Sequence, residues 1–335
     1  MDNKNSLGMR ILKTVLLPAV LFAIFAVISL ATGNSFLSVN MMLYMLKISC
    51  VTICVAVAIG FHSASAGFDF AIGGIVYVAC IVGGNFAVQN GYNVWVMAAA
   101  IIICATFLSF LEGLMYVVLR LSPIVNSLVF LMLCEAVTQL VNNGRGIQIM
   151  TKPQYTWFAR SPQIFVVTLI VLIVYWAVLK FTKFGFNDRA LAAGQKIAVS
   201  FGIKEIQCVL TRYILVGVFL GIAGILYLGQ NYEVTAAQNM ESTVLLFSAV
   251  LPNMLTGALG KYSNRSVGVV MAVLSMKIIN VGFVCMKMDS NLAQVISGIF
   301  VLGFVAYNMN QPRIREYFDR KKKAEGFAAQ FGGQA

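Results

Sequence analysis

Residues 94–119 read VWVMAAAIIICATFLSFLEGLMYVVL and carry a single charged side chain, Glu112. Wound as an α-helix at about 1.5 Å per residue, such a run outreaches a hydrocarbon layer about 30 Å thick. Runs of the same kind, long enough or nearly long enough to cross, recur at 15–31, 41–60, 70–88, 124–141, 164–180, 213–229, 242–259, 266–285 and 291–308. With 94–119 they predict ten spans, and hence an all-α polytopic membrane protein.

The composition agrees. Of 335 residues 60% are hydrophobic and 11% charged, against roughly 25% charged in soluble domains. A net charge of +12 would in a soluble chain point to nucleic acid, but the basic residues mark sidedness instead. They gather in the tails (Lys4, Arg10, Lys13; Arg313, Arg315, Arg320) and in alternate loops (Arg120, Lys183, Arg189, Lys196, Lys204, Lys261). Ten spans with that bias set both termini in the cytoplasm, with membrane lipid as the partner and no role for nucleic acid. The expected organisation is a basic tail over 1–14, one membrane domain over 15–310 with a cytoplasmic segment near 184–212, and a second basic tail over 311–335.

Enzymatic chemistry finds little footing. His62 is the lone histidine and no C-x-x-C pair occurs, so no metal site is expected; cysteines such as Cys54, Cys80 and Cys134 lie in apolar runs as small hydrophobes. Gly260-Lys261 is followed by Tyr262, and Leu255 stands where the first glycine of a phosphate loop belongs. No nucleophile elbow is present either. If ATP is used, another chain hydrolyses it.

Ionisable residues within spans are candidates for function. These are Lys47, Asp69, Glu112, Glu135 and Lys277. Glu112 and Glu135 fall in neighbouring antiparallel spans, where Lys47 or Lys277 would neutralise one of them; the alternative is a proton or cation relay through Asp69, Glu112 and Glu135. The segment 63–74, SASAGFDFAIGG, sets small residues around one carboxylate. Its glycines permit close approach or a helix break, and Asp69 suits the start of a helix. Gly217, Gly221 and Gly224 are spaced for tight helix packing. The long outer connection 142–163, with Tyr155 and Trp157, reads either as an ordered loop meeting an external partner or as headgroup anchoring. On the inner side, Asn187 or Asp188 is expected to cap a helix through Ala193, Gly194 to break it, and Ile197, Ala198, Phe201 and Ile203 to give a second apolar face. Such a pair fits a groove on a soluble partner or a membrane surface.

From about Phe36 to Tyr307 the sequence resembles the permease subunits of bacterial ABC importers of the ribose/xylose type. AGFDFAIGG at 66–74 is similar to the family segment G-G-I-D-L-S-V-G, and LAAGQ at 191–195 through Gly202-Ile203 resembles its cytoplasmic coupling segment. The resemblance implies an internal inverted repeat, seen here as a parallel between spans two to five and seven to ten. It also implies a second permease subunit, identical or different, an ATP-binding cassette ATPase that holds ATP and Mg, and an extracytoplasmic solute-binding protein. This chain itself would need no cofactor. LPNMLTG at 251–257 departs from the family turn G-G-T-S-L-x-G-G, and Phe68 and Phe70 replace smaller aliphatics; both suit a divergent member pairing with a different permease chain. The expected roles are a substrate path at Phe68, Asp69, Phe70, Gly73 and Gly74, and ATPase coupling at Gly194, Ala198, Gly202 and Ile203. The expected activity is import of a monosaccharide or related small polar solute across the bacterial cytoplasmic membrane; the alternative is an ion-coupled secondary transporter.

Overall fold

The computed structural model describes residues 7–63, 68–259, 265–289, 292–293, 295–304, 306 and 310. In chain order it contains α1 (Leu7–Thr32), α2 (Val39–Ser63), α3 (Ala71–Gln89), α4 (Val94–Leu119), α5 (Pro123–Leu140), β1 (Ile147–Gln148), α6 (Gln163–Phe181), α7 (Lys183–Ala193), α8 (Gln195–Ser200), α9 (Glu205–Asn231), β2 (Glu233–Val234), α10 (Thr243–Leu259) and α11 (Arg265–Cys285). A further apolar helix, α12, covers Val295–Phe304. Eight of these helices are long and apolar enough to cross a membrane, and α10 and α12 are shorter apolar helices. Together they match the ten predicted runs in order. One boundary differs: α1 begins at Leu7, inside the stretch expected as a tail.

The ends are set by local chemistry. Asn93 accepts a hydrogen bond from Val96 N–H at 3.0 Å and so caps α4, and Ser122 does the same for α5 with Pro123 in its first turn. Arg120, at φ 52°, stops α4 in the left-handed region.

α9 and α3 form the heart of the bundle. Along α9, a Cβ added at Gly217 would lie 2.6 Å from Thr106 Cα, and one at Gly221 2.6 Å from Ile102 Cα. The glycine row therefore does what its spacing predicts: it brings α9 against the backbone of α4. α3 is buried along most of its length, with Ile72, Ile75 and Val76 fully enclosed. A second apolar cluster joins α1, α11 and α12 around Leu21, Phe25, Met276 and Val301. The long outer connection is ordered: β1 pairs antiparallel with β2, and the buried Tyr155 hydroxyl donates to the Tyr92 carbonyl at 2.7 Å. Trp95, Trp157 and Phe158 pack their rings at 4.9–5.3 Å beside it.

Candidate functional site

Two helices begin within the bundle instead of at its rim. The third residue of α3, Gly73, abuts Ser242, the residue that leads into α10; a Cβ there would sit 2.7 Å from the Ser242 carbonyl carbon. Gly74 packs on Leu131 and Cys134, which lie midway along α5. The starts of α3 and α10 thus meet near the middle of α5, and both expected path glycines are fully buried helix contacts. Broken helices at such depth are tolerated where their freed backbone groups find partners or line a cavity.

Each start has a carboxylate. Asp69 Oδ1 accepts from Ala71 N–H at 2.8 Å, the capping role expected of it. Glu135 serves α10. Its Oε1 accepts from Ser242 N–H at 3.0 Å and from Ser242 Oγ at 2.6 Å, and its Oε2 accepts from Met240 N–H at 2.8 Å. Ala237 N–H donates to Thr138 Oγ1 at 3.1 Å, and Gln139 Nε2 donates to the Ala237 carbonyl at 3.2 Å. The segment 237–242 is therefore fastened to one face of α5. This corrects the lysine pairing expected of Glu112 and Glu135: among the described residues neither Lys47 nor Lys277 forms an ion pair with them, and backbone N–H groups take that place at Glu135.

Glu112 has a different setting. It is fully enclosed, its carboxyl faces Asp69, and its backbone carbonyl accepts from Asn126 Nδ2 at 3.3 Å. Asp69 Oδ2 lies 3.2 Å from His62 Nε2, and the His62 ring meets Tyr213 edge-on at 4.9 Å. The sequence marked His62 only as the lone histidine; the structure sets it against Asp69, whose other neighbour is Glu112. Phe68 and Phe70 flank Asp69 half-buried, in edge contact with each other at 4.8 Å, and Phe70 reaches the exposed Phe247 of α10 at 6.4 Å. Ala66 and Gly67 of the same motif lie outside the described residues.

The connection between α6 and α9 forms the expected helix pair, with one correction. Thr182 caps α7 by accepting from Gly185 N–H at 3.2 Å, so Asn187 and Asp188 lie inside the helix instead of at its start. Asp188 is fully buried and receives Arg212 of α9, Nε to Oδ1 at 3.1 Å. A buried pair of this kind is costly to break because either partner alone is left an unpaired charge. Gly194 separates α7 from α8 as predicted. Ala198 is buried with Leu191 and Cys208, whereas Gly202 is exposed at φ 88°, where a side chain is strained. Ile203 is half-buried and lines, with Phe184, Phe201 and Gln207, a cleft of about 410 Å³. Around it Phe186, Ile197, Phe201 and Ile206 stand exposed, Phe201 to 84%.

Residues 40–305 match the family described as branched-chain amino acid transport system / permease component. The chain belongs to this permease family. It is therefore a multi-pass membrane protein and a permease component of a transport system. The galactofuranose transporter permease protein YtfT of Escherichia coli K12 is 22% identical over 246 residues, 71% of each chain. The L-arabinose transport system permease protein AraH of the same organism is 21% identical over 64% of this chain and 67% of its own. The autoinducer 2 import system permease protein LsrC of Photorhabdus luminescens is 21% identical over 72% and 73%. In fold, the chain is similar to an inward-facing conformation of a metal-chelate-type ABC transporter, with a TM-score of 0.52, 16% identity, and coverage of 88% of this chain and 98% of that one. These matches agree with the permease expectation and lend none of their weight to ion coupling.

Proposed function

We propose that this permease is the membrane-spanning subunit of an ATP-driven importer for a monosaccharide or related small polar solute. It would work in the bacterial cytoplasmic membrane with both termini inside. The relatives named for galactofuranose and L-arabinose support the solute class. The observation that carries the ATP-driven part is the α7–α8 segment: a short helix pair exposing Phe186 and Ile197, with Phe201 just after it and Ile206 at the start of α9 also exposed, rooted by the Asp188–Arg212 pair in the base of α9. An exposed apolar face on a polar loop fits a groove in a soluble partner, here an ATP-binding cassette ATPase holding ATP and Mg. Gly194 and Gly202 shape the segment, Ala198 packs it, and Ile203 borders the cleft beside the exposed phenylalanines. A second permease subunit and an extracytoplasmic solute-binding protein complete the assembly.

ATPase closure would push α7 and, through Asp188–Arg212, tilt α9 against α4. Phe68 and Phe70, with Phe247, would shape the inner part of the path, Asp69 fixing the α3 start between them and Gly73 and Gly74 holding that start against α10 and α5. The test is purification of the tagged chain from its native host in mild detergent. Co-purification of a chain with a phosphate loop, and loss of it in Phe201→Ser, is the expected result; recovery of the permease alone across detergents contradicts it.

A further inference from the structure

The segment between β2 and α10 is built for more than connection. Asn239 and Met240 stand at φ 54° and 65°, two consecutive non-glycine residues in the left-handed region. Such backbone is strained for side chains with a Cβ and persists where its surroundings impose it. Here Glu135, Thr138 and Gln139 impose it, through the five hydrogen bonds described above.

What the strained turn presents is a cleft of about 290 Å³, lined by Met132, Glu135, Ala136, Gln139, Gln238 and Asn239. That is near the lower end of ligand pockets, which run from roughly 300 Å³ upward, and suits one small solute. The Glu135 oxygens are already taken by the turn. Among the described residues, the Gln238 and Asn239 amides make no hydrogen bond and stand exposed. No basic side chain lines the cleft, so it offers an anion no charge partner, and the Glu135 carboxylate beside it disfavours one. A carboxamide presents donors and an acceptor in one plane, and a sugar hydroxyl is at once donor and acceptor; methionine and alanine supply apolar contact for the C–H face of such a solute. Irregular backbone at membrane depth beside a discontinuous helix is where solute sites are found in inverted-repeat transporters.

We propose that residues 237–240 and the adjoining face of α5 form a recognition site for a neutral polyhydroxylated solute, with Gln238 and Asn239 reading its hydroxyl pattern. This rests on the importer function proposed above and names where its selectivity lies. Two amides carried on a backbone held at Ala237 and Met240 discriminate epimers, because an inverted hydroxyl leaves a donor or acceptor unpaired.

The experiment uses cells carrying the complete importer and measures initial uptake of radiolabelled L-arabinose, D-ribose, D-xylose and D-galactose. If the wild type takes up none of them above cells lacking the permease, the monosaccharide function fails and the site with it. If it takes up any, Gln238→Ala and Asn239→Gly, the latter chosen to keep the left-handed backbone, are compared with it. The expected result is a change of about tenfold in the preference ratio between at least two of the sugars, equivalent to about 1.4 kcal/mol. An unaltered ratio, whatever the absolute rate, overturns the site while leaving the importer function standing. Should either variant transport nothing, Gln238→Asn, which keeps the amide at shorter reach, decides on the same criterion.

Discussion

Glu135 shows most sharply what a residue's type does and does not disclose. A carboxylate in an apolar run can relay protons, pair with lysine or hold backbone, and the third is what the structure shows: three donors converge on it at 2.6–3.0 Å. Removing it as Glu135→Ala strands buried N–H groups at a cost of about 1–3 kcal/mol each. The expected outcome is a clear fall in the thermal midpoint of the detergent-solubilised protein together with lost transport, while Glu135→Gln, which keeps one acceptor, lies between. Gly202 makes the complementary case. Its φ of 88° is open to glycine and strained for other residues, yet nothing crowds a Cβ there. Gly202→Ala should therefore destabilise by about 1 kcal/mol through backbone strain alone, read as a small drop in thermal midpoint. A loss of partner binding in a bulkier Gly202 variant mixes that strain with contact, so Phe201, exposed to 84%, is the cleaner probe: Phe201→Ser should leave the thermal midpoint of the isolated permease unchanged and weaken ATPase co-purification.

At the scale of elements, the Asp188–Arg212 pair joins α7 to α9 and is buried on both sides. Either Asp188→Leu or Arg212→Met alone should destabilise by about 3–5 kcal/mol, and the two together should recover much of that loss, since a well-packed apolar pair replaces a buried ion pair at little cost. Thermal unfolding of the three variants, analysed as a double-mutant cycle, measures it. The pair was hidden from sequence because its partners lie 24 positions apart and Asp188 had a local reading of its own as a helix cap. The helices themselves were legible, because a run of apolar residues long enough to cross lipid leaves few other structures. The break at Gly194 and the packing row at Gly217 and Gly221 were legible for the same kind of reason, each being a local consequence of glycine. The start of α10 just after Ser242 was also visible as the edge of an apolar run. The depth of that start in the bundle was not, since it follows from Gly73 meeting Ser242 and from α5 holding 237–242, contacts between segments far apart in sequence.

Across the whole molecule, α3 and α10 enter from opposite ends of the chain's topology and touch at their starts, each with a carboxylate at its N-terminus, Asp69 and Glu135. The contact of Gly73 with Ser242 and the hold of α5 on 237–242 lock these two starts together. His62, Asp69 and Glu112 lie on the side of α3 toward α4 and α9, where the ion-coupled alternative would have to find its relay. In the proposed importer the power stroke comes from an ATPase and not from these groups. Uptake of a radiolabelled monosaccharide by cells carrying the complete importer tests it most directly, with vanadate and a protonophore compared in matched samples at fixed cellular ATP. For an ATP-driven importer vanadate stops uptake and the protonophore leaves it running; uptake that survives vanadate and collapses with the protonophore rules the ATPase out as the source of power.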